Sequence, residues 1–139
     1  MAYERKINPL DLSKDIGIGI LLDITSPTGK IFNVSYTTLA QAKTNFLNLL
    51  LTNEGERIMQ PEFGCNIRKI LFEQITPNTK SRLDRIIREK TAQWLPYLEI
   101  QTLNIDISPD LNSIDFEIII SLKDNKFDTA SITFTINLT

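Results

Sequence analysis

Ser113–Leu138 reads SIDFEIIISLKDNKFDTASITFTINL, and its alternation decides the fold class. Ile114, Phe116, Ile118, Ile120 and Leu122 fall at every second position, so one face of an extended chain is apolar. Lys123-Asp124-Asn125-Lys126 interrupts the run with a polar turn. Ile132, Phe134, Ile136 and Leu138 then alternate with Ser131, Thr133, Thr135 and Asn137. Just upstream, Leu103, Ile105 and Ile107 alternate in the same way, and Ser108-Pro109-Asp110 turns the chain before the quoted stretch. The expected result is a three-stranded antiparallel meander at the C-terminus.

Further upstream the period lengthens to that of a helix. Leu39, Ala42, Phe46 and Leu49 or Leu50 share one face of a segment from Thr38 to Thr52, with Gln41, Asn45, Asn48 and Thr52 opposite. Thr38 and Gln41 fit a capping box at its start. A short second helix spans Asn66 to Phe72, with Ile67, Ile70 and Leu71 inward. Thr76-Pro77 reads as the N-cap and first turn of a third helix, which runs to Trp94 with Leu83, Ile86, Ile87 and Trp94 on its apolar side. Its basic residues Lys80, Arg82, Arg85 and Arg88 are offset by Asp84 and Glu89, and Asp84/Arg88 and Arg85/Glu89 are spaced for ion pairs. The class is therefore α+β, with three helices packed on a C-terminal three-stranded sheet. Residues 36–139 read as one such domain, and residues 1–35 as an N-terminal extended arm or hairpin turning at Thr25-Ser26-Pro27-Thr28-Gly29.

Composition removes several kinds of chemistry. The chain has 139 residues, a formal charge of -2, one cysteine and no histidine. Ser-His and Cys-His nucleophiles and histidine-ligated metals are excluded, as are an internal disulfide and a cysteine-cluster zinc site. No cofactor or metal is expected. The near-neutral charge gives no global attraction to nucleic acid or to a membrane. Apolar runs such as Ile18–Leu22 are far too short to span a bilayer, and the polar opening MAYERKINPLDLSKD lacks the apolar core of a signal peptide. Folding in a reducing cytoplasm is the expectation.

Between the first two helices lies Asn53–Cys65, the least regular part of the domain. Gly55 and Gly64 permit backbone angles that other residues resist, and Pro61 fixes its own. Such a loop is shaped rather than loose. It is expected to tuck Met59 and Phe63 into the domain and to present Glu56, Arg57 and Glu62. Two roles are open to it. Glu54, Glu56, Glu62 and Glu73 offer carboxylates for an acidic glycosidase, which needs a pair across the scissile bond and one raised pKa. An ion pair between Glu56 and Arg57 would lower a carboxyl pKa instead. Cys65 has no histidine to activate it. The other role is a docking surface, within a larger assembly or in a soluble regulatory module.

Leu50-Leu51-Thr52, Gly55-Glu56-Arg57, Pro61-Glu62-Phe63-Gly64-Cys65 and Leu71-Phe72-Glu73 together resemble the signature of the baseplate-wedge, sheath-initiator family of contractile phage tails. Related subunits occur in type VI secretion baseplates and contractile injection systems. The resemblance is specific over about Thr38 to Pro77 and weaker, though co-linear, to the C-terminus. It implies a structural protein of the virion's tail baseplate, assembled in the host cytoplasm, or of the baseplate of a contractile injection particle. The implied partners are wedge proteins, the central hub and tube, and the tail sheath. In that reading Glu56, Arg57, Glu62, Phe63, Trp94 and Tyr97 contact partners, while Gly55, Pro61, Gly64 and Pro96 shape the surface. The last strand offers its edge, with Ser131, Thr133, Thr135 and Asn137 outward, to the first sheath ring. Many members carry Glu-Pro-Arg after the third helix; here Leu95-Pro96-Tyr97 stands there, keeping the proline and losing the charges. The family's older lysozyme label is the alternative, with the loop carboxylates as acids.

Overall fold

A short 3-10 turn, Pro9–Leu12, precedes strands β1 (Gly19–Ile20) and β2 (Val34–Ser35) in the computed structural model. Helices α1 (Thr38–Leu51), α2 (Ile67–Phe72) and α3 (Thr79–Trp94) follow, then strands β3 (Leu98–Ser108), β4 (Ser113–Leu122) and β5 (Asn125–Asn137). The structure describes residues 8–13, 15–21, 33–73, 76, 78–108 and 113–137. The turns read at Thr25–Gly29 and Pro109–Asp110 lie outside these residues, as do Pro77, Leu138 and the side chain of Leu71. The architecture is α+β, as the periodicities indicate.

The last three strands form an antiparallel sheet in the order β3-β4-β5, and β1 pairs with β2 in a separate two-stranded hairpin. Register follows the alternation. Ile105 lies opposite Phe116 and Phe116 opposite Phe134, so apolar residues of all three strands share one face. Ile105, Ile114, Phe116, Ile118 and Ile120 are at most 1% exposed, and Ile132 is 2% exposed. The Phe116 and Phe134 rings stack at 4.8 Å. Helix α1 lies against β4 and β5, and α3 against β3 and α1, so both helices cover that face. Phe46, Leu49, Leu83 and Ile87 are completely buried there. Each such side chain contributes roughly 1.5–3 kcal/mol of burial free energy.

Helix starts depart from the sequence reading. Thr37, not Thr38, caps α1: its hydroxyl accepts from the Ala40 N–H at 3.2 Å. Thr38 already lies in the first turn, and its N–H and hydroxyl both donate to Asp11 Oδ1 at 2.7 Å. There is no capping box, because Gln41 is used elsewhere: it accepts from the Ser35 hydroxyl and donates to Asn45. Asp11 is the residue the local pattern missed. It supplies negative charge at the positive end of α1 from 27 positions upstream, and so ties the N-terminal turn to the domain. Helix α3 begins at Thr79, with Asn78 in the cap position and Thr76 two residues outside it. The Thr76 N–H donates to the buried Thr79 hydroxyl at 2.9 Å, which reverses the expected direction of that contact.

Strand β3 starts at Leu98, earlier than its clean alternation suggests, because a bulge between Ile100 and Thr102 breaks the pattern. The β4–β5 turn is tight, pairing Leu122 with Asn125, and the β5 ladder is irregular until Thr129 pairs with Ser121.

The loop between the first two helices as a candidate docking site

Two backbone bonds close the loop. The Gly55 N–H donates to the Pro61 carbonyl at 2.7 Å, and the Cys65 N–H to the Thr52 carbonyl at 3.2 Å. Gly64 sits at φ 124°, with Thr52 O only 2.4 Å from where a Cβ would stand. The return strand of the loop thus runs directly against the end of α1, an approach open only to glycine. Gly55 is also left-handed, at φ 92°, but faces open space.

Carboxylates and amides fasten the rest. Asn53 donates through its backbone N–H and its side-chain amide to the two oxygens of Glu56, at 3.1 and 2.7 Å. These bonds, the side-chain one foremost, hold the Glu56 carboxyl below its ordinary pKa. Asn53 is therefore the partner of Glu56, in place of the expected Arg57. Arg57 instead lies over the Phe63 ring, 3.8 Å from its centroid. Phe63 is 8% exposed and meets Trp94 edge-on at 5.4 Å. Lys90 of α3 pairs with Glu54 and donates to the Glu62 carbonyl at 3.1 Å. Asn66, at φ 51° ahead of α2, exchanges two bonds with Glu54.

The sequence-predicted contacts therefore separate. Arg57, Phe63 and Trp94 form one stack, while Glu56 and Glu62 are exposed beside it. Pro96 is exposed in the turn after α3, where Leu95 is buried. Tyr97 is not part of that stack. Its hydroxyl accepts from Asn45 at 3.0 Å, and its side chain lines a separate cavity of about 710 Å³ with Asp11, Asp124 and Asn125. Met59, expected inside, is 91% exposed, and Ile58 is 96% exposed. Closing the ring between Gly55 and Pro61 turns both outward, a consequence of backbone geometry that composition does not reveal. Ser131, Thr133, Thr135 and Asn137 are all exposed on β5.

Acid catalysis finds little support in this geometry. Glu54 and Glu73 line one cavity of about 250 Å³, but Lys90 holds the first and Arg82 the second, at 2.7 Å. Glu56 has its ionised form favoured, the reverse of what a general acid requires. Cys65 is 1% exposed, and burial pushes its thiol up to about 12 from 9.0. Among the described residues no group of histidine, cysteine and carboxylate side chains is placed to hold a metal ion.

The basic face of α3 is likewise engaged. Arg88 bonds Asp84 at 3.1 Å, Arg85 lies 3.9 Å from Glu89, and Lys80 lies 3.9 Å from Asp106. These are exposed pairs of small individual value, but they leave that face mixed in sign.

This arrangement of helices, closed loop and terminal meander has known counterparts. The family described as baseplate wedge protein gp25 matches residues 39–126. The chain belongs to the gp25 baseplate wedge family. Baseplate wedge protein gp25 of Enterobacteria phage T4 is 31% identical over 94 residues, covering 68% of this chain and 71% of that protein. Among solved structures, a Geobacter sulfurreducens protein named a tail lysozyme superposes with a TM-score of 0.61 at 20% identity. That match covers 71% of this chain and 89% of the other. The anti-feeding prophage baseplate contains a chain that superposes with a TM-score of 0.52 at 16% identity, covering 82% and 78%. At these identities the two structures share the fold, and the lysozyme name stays with the protein that bears it. This gp25-family chain is a baseplate wedge protein of a contractile tail.

Cys65 supplies a prediction for the wedge protein in isolation. Its folded pKa is raised, so the unfolded chain loses the proton first as pH rises. Stability attributable to the buried thiol is intact below about pH 9 and falls as pH climbs toward 12. The slope is about 1.4 kcal/mol per pH unit. Melting temperatures measured from pH 8 to 11 should fall less steeply for Cys65→Ala than for the parent. Equal slopes would show that the thiol is not desolvated.

Proposed function

We propose that this wedge protein is a structural subunit without hydrolase activity, which docks on the wedge core and hub and seeds the tail sheath. The loop and the Trp94 end of α3 form its docking side, and the outer edge of β5 receives the first sheath subunits. The observation that carries the sheath reading is the place of β5 in the sheet. It is an edge strand, and no strand among the described residues pairs with its far side. From Thr129 to Asn137 its ladder with β4 is regular, and the stretch holds no proline or lysine. Such a strand lacks the usual devices that blunt an edge, so its unpaired backbone groups are open to strand addition. The opposite edge, β3, carries the bulge at Gln101, which disfavours regular pairing there.

Two variants test the strand. Thr133→Pro removes one backbone donor, and deletion of residues 136–139 removes the end of the strand. Each purified variant is first checked by thermal melting, then supplied to assembling tails. Baseplates should form and incorporate the subunit, and sheath should fail to polymerise on them. Normal sheath growth on both variants would overturn the proposal.

The docking side is tested apart from the edge. Arg57→Ala and Glu62→Ala change partly or fully exposed groups, so each should cost no more than about 1 kcal/mol of stability. Both should nonetheless lower incorporation into baseplates. A collapse of the melting temperature in either would assign that residue to the architecture of the loop. The purified protein should also leave peptidoglycan intact from acid to neutral pH; turnover abolished by Glu54→Gln or Glu73→Gln would establish the hydrolase reading instead.

A further inference from the structure

Ile58 and Met59 are 96% and 91% exposed, the two most exposed large apolar side chains among the described residues. They stand side by side at the tip of the Gly55–Pro61 ring. The base beneath them is fixed. The Phe63 N–H donates to the Gln60 carbonyl at 3.1 Å, the Glu56 N–H to the Asn53 carbonyl at 3.2 Å, and Arg57 lies on the buried Phe63 ring. The backbone that carries Ile58 and Met59 is already ordered by these bonds, so binding has to order only the two side chains.

We propose that Ile58 and Met59 form a preformed apolar prong that seats in an apolar socket with a basic rim on another protein of the baseplate. Shape sets the first property of the partner. Two adjacent side chains on a projecting tip are desolvated by a concavity, not by a flat face. Charge sets the second. Glu56 and Glu62 flank the prong and are exposed, whereas the neighbouring Arg57 is half-buried, with its guanidinium drawn down onto the Phe63 ring; Asn53 favours the ionised form of Glu56. The same acids oppose an anionic bilayer surface, and two apolar residues are too few for an interfacial anchor. The cavity of about 710 Å³ beside Tyr97 is lined by Asp11, Asp124 and Asp128 and repeats the sign of the prong rather than complementing it. Unlike the sheath reading, this inference concerns entry of the subunit into the baseplate. It rests on membership of the wedge family and not on the edge of β5.

Methionine chemistry offers a direct test, because Met59 is the only methionine after Met1. Peroxide should convert Met59 readily to the sulfoxide in the free chain, as read by peptide mass spectrometry. In assembled particles the same residue should react at least about tenfold more slowly, its thioether being buried in the socket. Equal rates in both forms would overturn the proposal. Ile58→Ser and Met59→Ser should leave the melting temperature unchanged, since neither side chain packs on the domain. Each should lower incorporation into baseplates, and the double variant by roughly 30-fold, the loss typical of removing an interface anchor. Normal incorporation of the double variant would overturn it as well. So would co-sedimentation of the free protein with phosphatidylcholine–phosphatidylglycerol vesicles, or a Met59-dependent self-association of the free chain. Failure of the sheath reading looks different: there the β5 variants would enter the baseplate and carry sheath normally.

Discussion

Replacing Gly64 by alanine should unfold more of this domain than any other single methyl group added to the loop. An alanine Cβ would stand 2.4 Å from Thr52 O and 3.0 Å from two further backbone carbons. Those atoms belong to Thr52 and Asn53, directly after α1, whose last turn is anchored by the buried Leu49 and Leu50, so they have little room to move. The residue also sits at φ 124°, a region that side-chain-bearing residues resist. Backbone strain of this kind costs about 1–3 kcal/mol, and the overlap adds to it. The expected loss is about 3 kcal/mol or more. Gly55→Ala is the control. It too has a left-handed φ, of 92°, but an added Cβ would meet nothing within 4 Å. Its cost should stay near 1–2 kcal/mol, the strain alone. Chemical denaturation of the two variants separates the contributions, and equal losses would show that the approach to Thr52 relaxes freely.

The contrast between these glycines also marks where sequence reasoning ends. Either glycine is readable as a shaped turn, but only the fold reveals which one lies against another backbone. The terminal sheet was legible because a period of two leaves no choice of face: once Phe116 points inward, so do Ile114, Ile118 and Ile120. The helices were legible for the same reason at a longer period. Their first turns were not, because Asp11 serves α1 from a distant segment and Thr79 takes the bond expected of Thr76. Local rules see neighbours along the chain, and these partners are neighbours only in space.

The loop divides in the same manner. Its closure followed from glycine and proline at readable positions. Which side chains it would bury did not, because Met59 and Phe63 are both large and apolar and lie four residues apart. Phe63 goes in because the chain has by then returned to α1 and α3, where Trp94 meets its ring. Met59 stays out because it lies inside the ring closed by the Gly55–Pro61 bond. The Glu56–Arg57 ion pair failed for a reason of entropy and reach: Asn53 offers Glu56 two donors at no cost in side-chain length, which frees Arg57 to stack.

Phe63→Ala should therefore be the other large loss, about 3 kcal/mol, at the lower end for a buried phenylalanine because its site is close to the surface. The ring is 8% exposed and holds two partners at once, the Trp94 edge at 5.4 Å and the Arg57 guanidinium at 3.8 Å. Phe63→Leu keeps most of the apolar burial and gives up the ring contacts, so it should cost about 1–1.5 kcal/mol. Arg57→Ala removes the cation alone and should cost about 0.5–1 kcal/mol. A double-mutant cycle between Phe63→Leu and Arg57→Ala should recover a coupling of about 0.5 kcal/mol, and a coupling of zero would mean that the cation above the ring contributes nothing. The series has a consequence for function. An assembly defect in Phe63→Ala reports the collapse of the loop that displays Ile58 and Met59, whereas a defect in Phe63→Leu, with the loop still closed, reports a contact made by the ring itself. If Phe63→Leu enters baseplates as the parent does while Phe63→Ala does not, Phe63 acts as the support of the docking loop, and the contacts belong to the residues it holds outward.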